Sequence, residues 1–350
     1  MHSYTIAFQL NATRESMETP FAADTRSPRT GAICALKLCL SIGLLIAFSN
    51  ASPTLKAASP TNGLAGRWDL TLTTPKGELP SWIEVSGDKG REKLVMVGVS
   101  DHATPLKKFE VKGDEIQFVS PKDEEGFSND MLFKGKLVGG QLVGTVTDSA
   151  GDAWTWKGAR APKLIHEIQP EWGASIKLFN GKDLSGWHLS NTSKGSTWKV
   201  ENGLLLTPGH GPELISDAKF DDFKLHVEFK CGPSSNSGIY LRGRYEVQIE
   251  TDSVAEPSSH HTGGVYGFLD PTPEQPRKAD VWQTFDITLI GRRVTIVQNG
   301  VIVINDQEIP GITGGALDSH EGFPGPIYLQ GSEEGTVSYK SIVITPAKEK

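Results

Sequence analysis

Residues 294–305 read Val-Thr-Ile-Val-Gln-Asn-Gly-Val-Ile-Val-Ile-Asn. Two β-branched runs flank Asn299-Gly300, the pair that best tolerates positive φ at both centres of a type I′ turn, so the segment predicts a β-hairpin. Working outward, Phe223–Lys230, Ser237–Thr251, Phe285–Ile290, Ile327–Gln330 and Ser338–Ile344 carry the same strand periodicity, with no long amphipathic helix between them. An antiparallel all-β set over about 174–346 predicts a two-sheet sandwich or jelly roll. Upstream, eight short strands are expected between residues 66 and 160: Arg67–Thr73, Ser81–Ser86, Lys93–Val99, Lys107–Val111, Glu115–Ser120, Asp130–Lys136, Gln141–Asp148 and Ala153–Gly158. Hairpin-length turns such as Lys112-Gly113-Asp114 join them, which predicts a small antiparallel barrel or sandwich domain. Residues 161–173, with Pro162 and Pro170, read as a linker.

Composition agrees with a turn-rich β protein. Glycine and proline make up about 17% of the 350 residues, against about 12% in ordinary soluble chains. The formal charge of −7 argues against a chain-wide nucleic-acid or anionic-membrane footprint. Residues 1–51 have the order of an export signal. Arg26, Arg29 and Lys37 precede the apolar run Leu38–Phe48, and Ser49-Asn50-Ala51 offers small residues for cleavage. Eleven apolar residues are short of the about 20 needed to span a bilayer. Cleavage near Ala51, with Met1 or Met17 as the start, would leave a linker at 52–65, a net charge of −8 and Cys231 as the single cysteine. An exported periplasmic or extracellular protein with no integral membrane span is therefore expected, one whose cores hold without a disulfide. Cys231 reads as a buried small hydrophobe.

The chemistry concentrates in residues 239–252, Ile-Tyr-Leu-Arg-Gly-Arg-Tyr-Glu-Val-Gln-Ile-Glu-Thr-Asp. Read as one strand, Ile239, Leu241, Tyr245, Val247 and Ile249 face the core. Tyr240, Arg242, Arg244, Glu246, Gln248 and Glu250 then form a polar ladder on the other face. Guanidiniums suit hydroxyl and carboxylate recognition, and paired carboxylates suit sugar binding or acid/base work. The competing reading is a solvent-facing strand laced with Arg–Glu pairs. Glu246 and Glu250 lie about 13 Å apart at Cα on a strand, so carboxyls leaning together would stand roughly 5–7 Å apart. That fits a retaining glycosidase pair, or the lower end of the inverting range.

Other candidates carry less. His260-His261 could supply one metal ligand, but no carboxylate stands at ligand spacing, so a solvated loop, or a sugar contact by His261, is expected. No cofactor is expected on the same ground. Asp318-Ser319-His320-Glu321 is too contiguous for a triad. Trp187 and Trp198 read as core residues, and His102 as a solvated loop residue.

Several strings resemble known families. Gly66-Arg67-Trp68 is similar to the Gly-x-Trp that opens lipocalin-type barrels, and Glu246-x-Gln248-x-Glu250 resembles the Glu-x-Asp-x-Glu of concanavalin-fold β-glucanases with an amide at its centre. More extensive is the set Leu178–Trp187, Asn202-Gly203-Leu204, Phe220-Asp221-Asp222-Phe223, Asn236–Gln248, Gly264-Val265-Tyr266-Gly267 and Pro324–Gln330. This set resembles the 3-keto-disaccharide hydrolase domain family over about 174–346. The resemblance implies a concanavalin-like sandwich, a carbohydrate substrate, and cleavage of a 3-keto-glycoside by C2 proton removal, loss of the C1 substituent and hydration. On that basis Glu246 is the expected base or acid, and Arg242 and Arg244 the enolate or hydroxyl ligands. Gln248, Tyr240, Tyr266, Glu250, Asp252, His261, Gln330 and Glu333 are the expected substrate contacts, Ser332-Glu333 standing where many relatives carry Asp-His. A non-catalytic carbohydrate-binding module, a β-glucanase-like hydrolase using Glu246 and Glu250, and a purely structural sandwich are the alternatives. Sugar, linkage and oligomeric state are not legible.

Overall fold

Arg293–Gln298 pairs antiparallel with Val301–Glu308, and Asn299 and Gly300 stand at φ of 52° and 82°. The hairpin predicted from the Asn-Gly pair therefore forms, and two sheets build outward from it. The computed structural model describes residues 63–75, 77–88, 90–99, 102–122, 129–148, 151–166, 169–191, 198–209, 211–251, 257–331 and 335–348. The expected export signal, its cleavage site, Asp252 and Glu333 lie outside the described residues. No helix among those residues is long and apolar enough to cross a membrane.

The first sheet holds nine strands. They are β1 (Gly66–Thr74), β2 (Gly77–Ser86), β3 (Lys93–Val97), β4 (Ala103–Pro105), β5 (Phe109–Lys112), β6 (Glu115–Ser120), β7 (Met131–Val138), β8 (Gln141–Asp148) and β9 (Ala153–Arg160). Their order is β4-β3-β2-β1-β9-β8-β7-β6-β5, so each strand pairs with its sequence neighbour and β1 closes onto β9. β4 and β5 are the two edges of this path, which makes the sheet a half-barrel. The eight strands expected from the sequence omit β4, because three residues are too few to show a period of two. Trp68, Leu70, Phe118, Phe133 and Trp156 fill its hollow. Phe118 stacks on Phe133 at 4.7 Å, and the Trp68 indole N–H donates to the Leu64 carbonyl at 2.8 Å.

The sandwich is made of β10 (Ile176–Lys177), β11 (Trp187–Leu189), β12 (Lys199–Glu201), β13 (Leu204–Pro208), β14 (Leu214–Phe220), β15 (Phe223–Cys231), β16 (Asn236–Leu241), β17 (Tyr245–Glu250), β18 (Trp282–Ile290), β19 (Arg293–Gln298), β20 (Val301–Glu308), β21 (Gly325–Leu329) and β22 (Thr336–Pro346). One sheet runs β12-β13-β22-β15-β18-β19-β20 with β10 beside β22, and the other runs β11-β14-β21-β16-β17. The inward positions alternate as the sequence predicts. Leu225, Val227, Phe229, Phe285, Ile287 and Leu289 meet Ile239, Leu241, Tyr245, Val247 and Ile249 in one core. Trp187 and Trp198 are buried there, each with its indole N–H on a backbone carbonyl, Leu178 and Pro212 respectively. Cys231 is also buried; burial first, and then the nearby Glu250 charge, push its thiol up to about 12.

One expectation needs correcting. Ser237–Thr251 is not a single strand. β16 and β17 pair with each other, Tyr240 opposite Glu246, Gly238 opposite Gln248 and Asn236 opposite Glu250. The chain reverses at Arg242–Arg244, where Arg242 and Gly243 take φ of 53° and 68°. Leu241 and Tyr245 are directly opposed and four residues apart, an even number, so a period of two passes through the turn unbroken. The polar ladder is therefore folded back on itself, and the two arginines stand in its turn.

The half-barrel and the sandwich share apolar contacts. Trp82 and Val97 of the first sheet belong to the sandwich core, and the Trp82 ring meets Phe268 edge-on at 5.7 Å.

Candidate active site

Folding the ladder into a hairpin brings Tyr240 and Glu246 face to face. Their side chains point away from the sandwich core, and both are buried; Glu246 is 4% exposed. The Tyr240 hydroxyl donates to Glu246 Oε2 at 2.9 Å and reaches the Gly314 carbonyl at the same distance, so one proton is shared between two acceptors. The Glu246 carboxylate lies across the neighbouring strand: a Cβ placed on Gly238 would stand 2.1 Å from Glu246 Oε1. Position 238 must be glycine for the carboxylate to occupy this place. Burial, followed by the Glu246 and Tyr328 charges, pushes the Tyr240 phenol well above its ordinary value. Tyr240 is thus a fixed neutral donor to Glu246 throughout the working pH range.

Around this pair stands an aromatic and amide wall. Tyr328 of β21 stacks on Tyr240 at 4.2 Å and 12°. The Tyr266 backbone N–H donates to the Glu246 carbonyl at 3.1 Å, while the His260 ring lies on the Tyr266 ring at 4.1 Å and 19°. Thr313 accepts the Glu246 N–H at 3.0 Å through its hydroxyl. Farther along β17, Gln248 Nε2 donates to Asn236 Oδ1 at 3.4 Å. Gln330 holds β16 through its backbone, its N–H on the Gly238 carbonyl at 2.9 Å, and its buried side-chain Oε1 has no hydrogen-bond partner among the described residues. Asn236, Tyr266 and Gln330 are half-buried, beside the buried Glu246–Tyr240 pair.

The expected site residues divide accordingly. Tyr240, Glu246, Gln248, Tyr266 and Gln330 gather on one face. Arg242 does not join them. Its guanidinium donates to Asp221 at 2.9 Å, the Tyr245 hydroxyl at 3.1 Å and the Gly291 carbonyl at 2.8 Å, on the core side of the turn. Arg244 is committed to Asp318 through Nε at 2.7 Å and Nη2 at 3.2 Å, and to the Phe323 carbonyl. Burial pushes the Asp318 carboxyl up, but the Arg244 hydrogen bond and charge outweigh it and hold it below its ordinary value. Both arginines therefore serve the turn and its neighbours rather than presenting guanidiniums beside Glu246. Glu250 is tied to the Arg277 guanidinium and to the Thr262 N–H. His261 is buried, with Nδ1 3.0 Å from Glu274 Oε1. The expectation of a solvated loop at His260-His261 is overturned, since the segment packs beneath the hairpin edge through Gln248 N–H to the Gly264 carbonyl. Sequence reasoning missed His260 and Tyr328 as site neighbours, because each reaches the site from a different loop or strand.

Two further clusters are structural. Glu321, fully buried, accepts from the Tyr245 hydroxyl at 2.7 Å and from Arg292 at 3.2 Å, so Asp318–Glu321 form no triad. His166, Asp221 and Asp222 bring ligand-type atoms within 4.8 Å of one another. Protein donors already fill that cluster: Arg242 is on Asp221, the Gly291 N–H is on Asp222 at 2.7 Å, and the His166 ring is 2.6 Å from Asp222.

Residues 174–345 match the model of the 3-keto-alpha-glucoside-1,2-lyase-like domain family. This segment belongs to that family. The chain is also 30% identical over 94 residues to a 3-keto-disaccharide hydrolase of Bacteroides thetaiotaomicron, an alignment covering 23% of this chain and 32% of that protein. It thus spans about a third of that relative's length. Among solved structures, a glycosyl hydrolase candidate from Parabacteroides distasonis is similar at 28% identity and a TM-score of 0.42, with 52% of this chain and 93% of that one covered. A prokaryotic β-1,3-1,4-glucanase (lichenase) from a mouse hindgut metagenome is similar at 13% identity and a TM-score of 0.32, with 50% and 99% covered. The lyase-like domain excludes residues 66–160, so the half-barrel is an addition to it.

Proposed function

We propose that the lyase-like domain cleaves 3-keto-glycosides and that Glu246 is the base. The observation that carries this reading is the buried Glu246 carboxylate, fixed by the Tyr240 hydroxyl on the polar face of the β16–β17 hairpin, in a domain of this family. A ketone at C3 acidifies the C2–H of the sugar. Glu246 takes that proton, the C2–H electron pair forms the C1–C2 double bond, and the C1–O bond breaks with its electrons on the departing oxygen. A proton delivered to that oxygen completes the elimination, and water adding at C1 of the enone yields the free 3-keto-sugar. Tyr266 borders the pair and is the donor to the departing oxygen. Gln248, Asn236 and the buried Gln330 Oε1 are amide contacts for sugar hydroxyls.

A neutral Tyr240 suits the step. It stabilises the carboxylate before proton transfer without supplying a competing charge, and its stack on Tyr328 fixes the approach angle. The leading segment Arg26–Ala51 supports action after export. The test is release of glucose from 3-keto-trehalose or 3-keto-lactose by the protein and by Glu246→Gln. Turnover that is lost in the variant, with the melting temperature kept, supports the reading. Sugar binding without turnover in the parent protein would show a carbohydrate-binding module instead.

A further inference from the structure

The half-barrel lies outside the matched domain, yet it reaches the Glu246 site. Val99 and His102 lie between β3 and β4. There the His102 ring meets His260 at 5.0 Å and 66°, and His260 in turn lies flat on Tyr266. The Tyr266 backbone N–H in turn donates to the Glu246 carbonyl at 3.1 Å. The chain of contacts therefore runs from the half-barrel through two histidines and a tyrosine to the Tyr240–Glu246 pair.

The backbone is shaped for this approach. A Cβ on Gly267, which takes a φ of 70°, would stand 2.6 Å from the His102 Cβ and 3.0 Å from the Ala103 nitrogen. On the other side of the site, the Gly315 N–H donates to the Val99 carbonyl at 2.9 Å, and a Cβ on Gly315 would stand 2.5 Å from the Tyr240 hydroxyl. His102 and Val99 of the half-barrel thus touch the residue after Tyr266 and the loop beside Tyr240. Neither approach leaves room for a side chain.

We propose that the half-barrel is a wall of the active site and that His102 is a positioning residue: its ring fixes His260, and His260 holds Tyr266 in place beside Tyr240 and Glu246. This rests on the reading of Glu246 and Tyr266 as base and donor. Loss of the His102 ring lets the His260–Tyr266 stack shift, and a misplaced donor slows the chemical step more than it weakens sugar binding.

The test compares His102→Ala with His102→Phe, which keeps a ring against His260, on 3-keto-trehalose. His102→Ala should lower kcat about 10- to 100-fold with KM within about threefold, and His102→Phe should restore most of the loss. In protein labelled with 13C-histidine, the His260 ring protons should lose their stacking displacement in His102→Ala and regain it in His102→Phe. Should the alanine variant not fold, His102→Asn serves in its place. An unchanged kcat in the ringless variant, or a phenylalanine variant as slow as it, overturns the proposal. If the parent protein does not cleave the substrate, the proposed function fails alone; the His260 resonance still decides the inference, and an unmoved resonance sinks it.

Discussion

Glu246 and Tyr240 show how one residue sets the task of another. The carboxylate occupies space that only Gly238 leaves open, and the phenol that donates to it is kept neutral by burial and by the carboxylate's own charge. Tyr240→Phe removes that hydrogen bond and keeps the stack on Tyr328. Turnover should fall about 10- to 100-fold, the cost of a base let out of position. Stability should change by only about 1 kcal/mol, and steady-state kinetics beside a melting curve measure both. A variant that keeps its rate would show that Tyr240 is packing alone. At this scale the sequence was legible for identity and not for partnership. Alternation placed Tyr240 and Glu246 on one face, but nothing local showed that they are opposed across a turn. The place of His260 and Tyr328 beside this pair was not legible, because their contacts span long stretches of chain.

The β16–β17 hairpin is the element on which the site depends, and its turn is expensive to build. Arg242 sits at positive φ, a conformation that costs a side-chain-bearing residue about 1 kcal/mol or more. Its guanidinium offsets this with three hydrogen bonds, to Asp221, Tyr245 and Gly291. Arg242→Ala leaves the buried Gly291 carbonyl and Tyr245 hydroxyl without this donor, while exposed Asp221 turns to solvent, so unfolding stability should fall by about 2 kcal/mol, read as a lower urea midpoint. An unchanged midpoint with lost activity would return Arg242 to the catalytic role expected from the family resemblance. The hairpin at Asn299-Gly300 was legible because its dipeptide is diagnostic of a type I′ turn. Arg242-Gly243-Arg244 was not, because Leu241 and Tyr245 keep the apolar phase through the reversal and charged residues are no turn signal.

At the scale of the whole molecule, the half-barrel is fastened to the sandwich by polar groups as well as by Trp82. Thr71 and Ser319 share a hydrogen bond at 2.6 Å, and buried Asp69 of β1 stands beside Glu321. Burial first, and then the Glu321 charge and hydrogen bond, push the Asp69 carboxyl from 3.8 up to about 9, against the lowering influence of Arg292 and Arg244. An acid held protonated in the folded state binds its proton more tightly there than in the unfolded chain. Its contribution is complete below the unfolded value and is lost as pH rises toward about 9. Asp69→Asn should therefore remove part of the decline in melting temperature between pH 5 and pH 8.5, the variant gaining on the parent as pH rises. Parallel curves would contradict the pairing. The two-layer sandwich could be read from strand periodicity because a half-buried strand declares which face is in. The docking of the half-barrel could not, since His102, Gly267 and Gly315 are ordinary loop residues until the two sheets meet.

The central claim is that Glu246 removes the C2 proton of a 3-keto-glycoside. The most direct measurement is the rate of glucose release from 3-keto-trehalose carrying deuterium at C2, for the protein and for Glu246→Gln. The account predicts a primary isotope effect in the parent protein and no measurable release by the variant. Equal rates for protonated and deuterated substrate, together with a variant that still releases glucose at the parent rate, would contradict it.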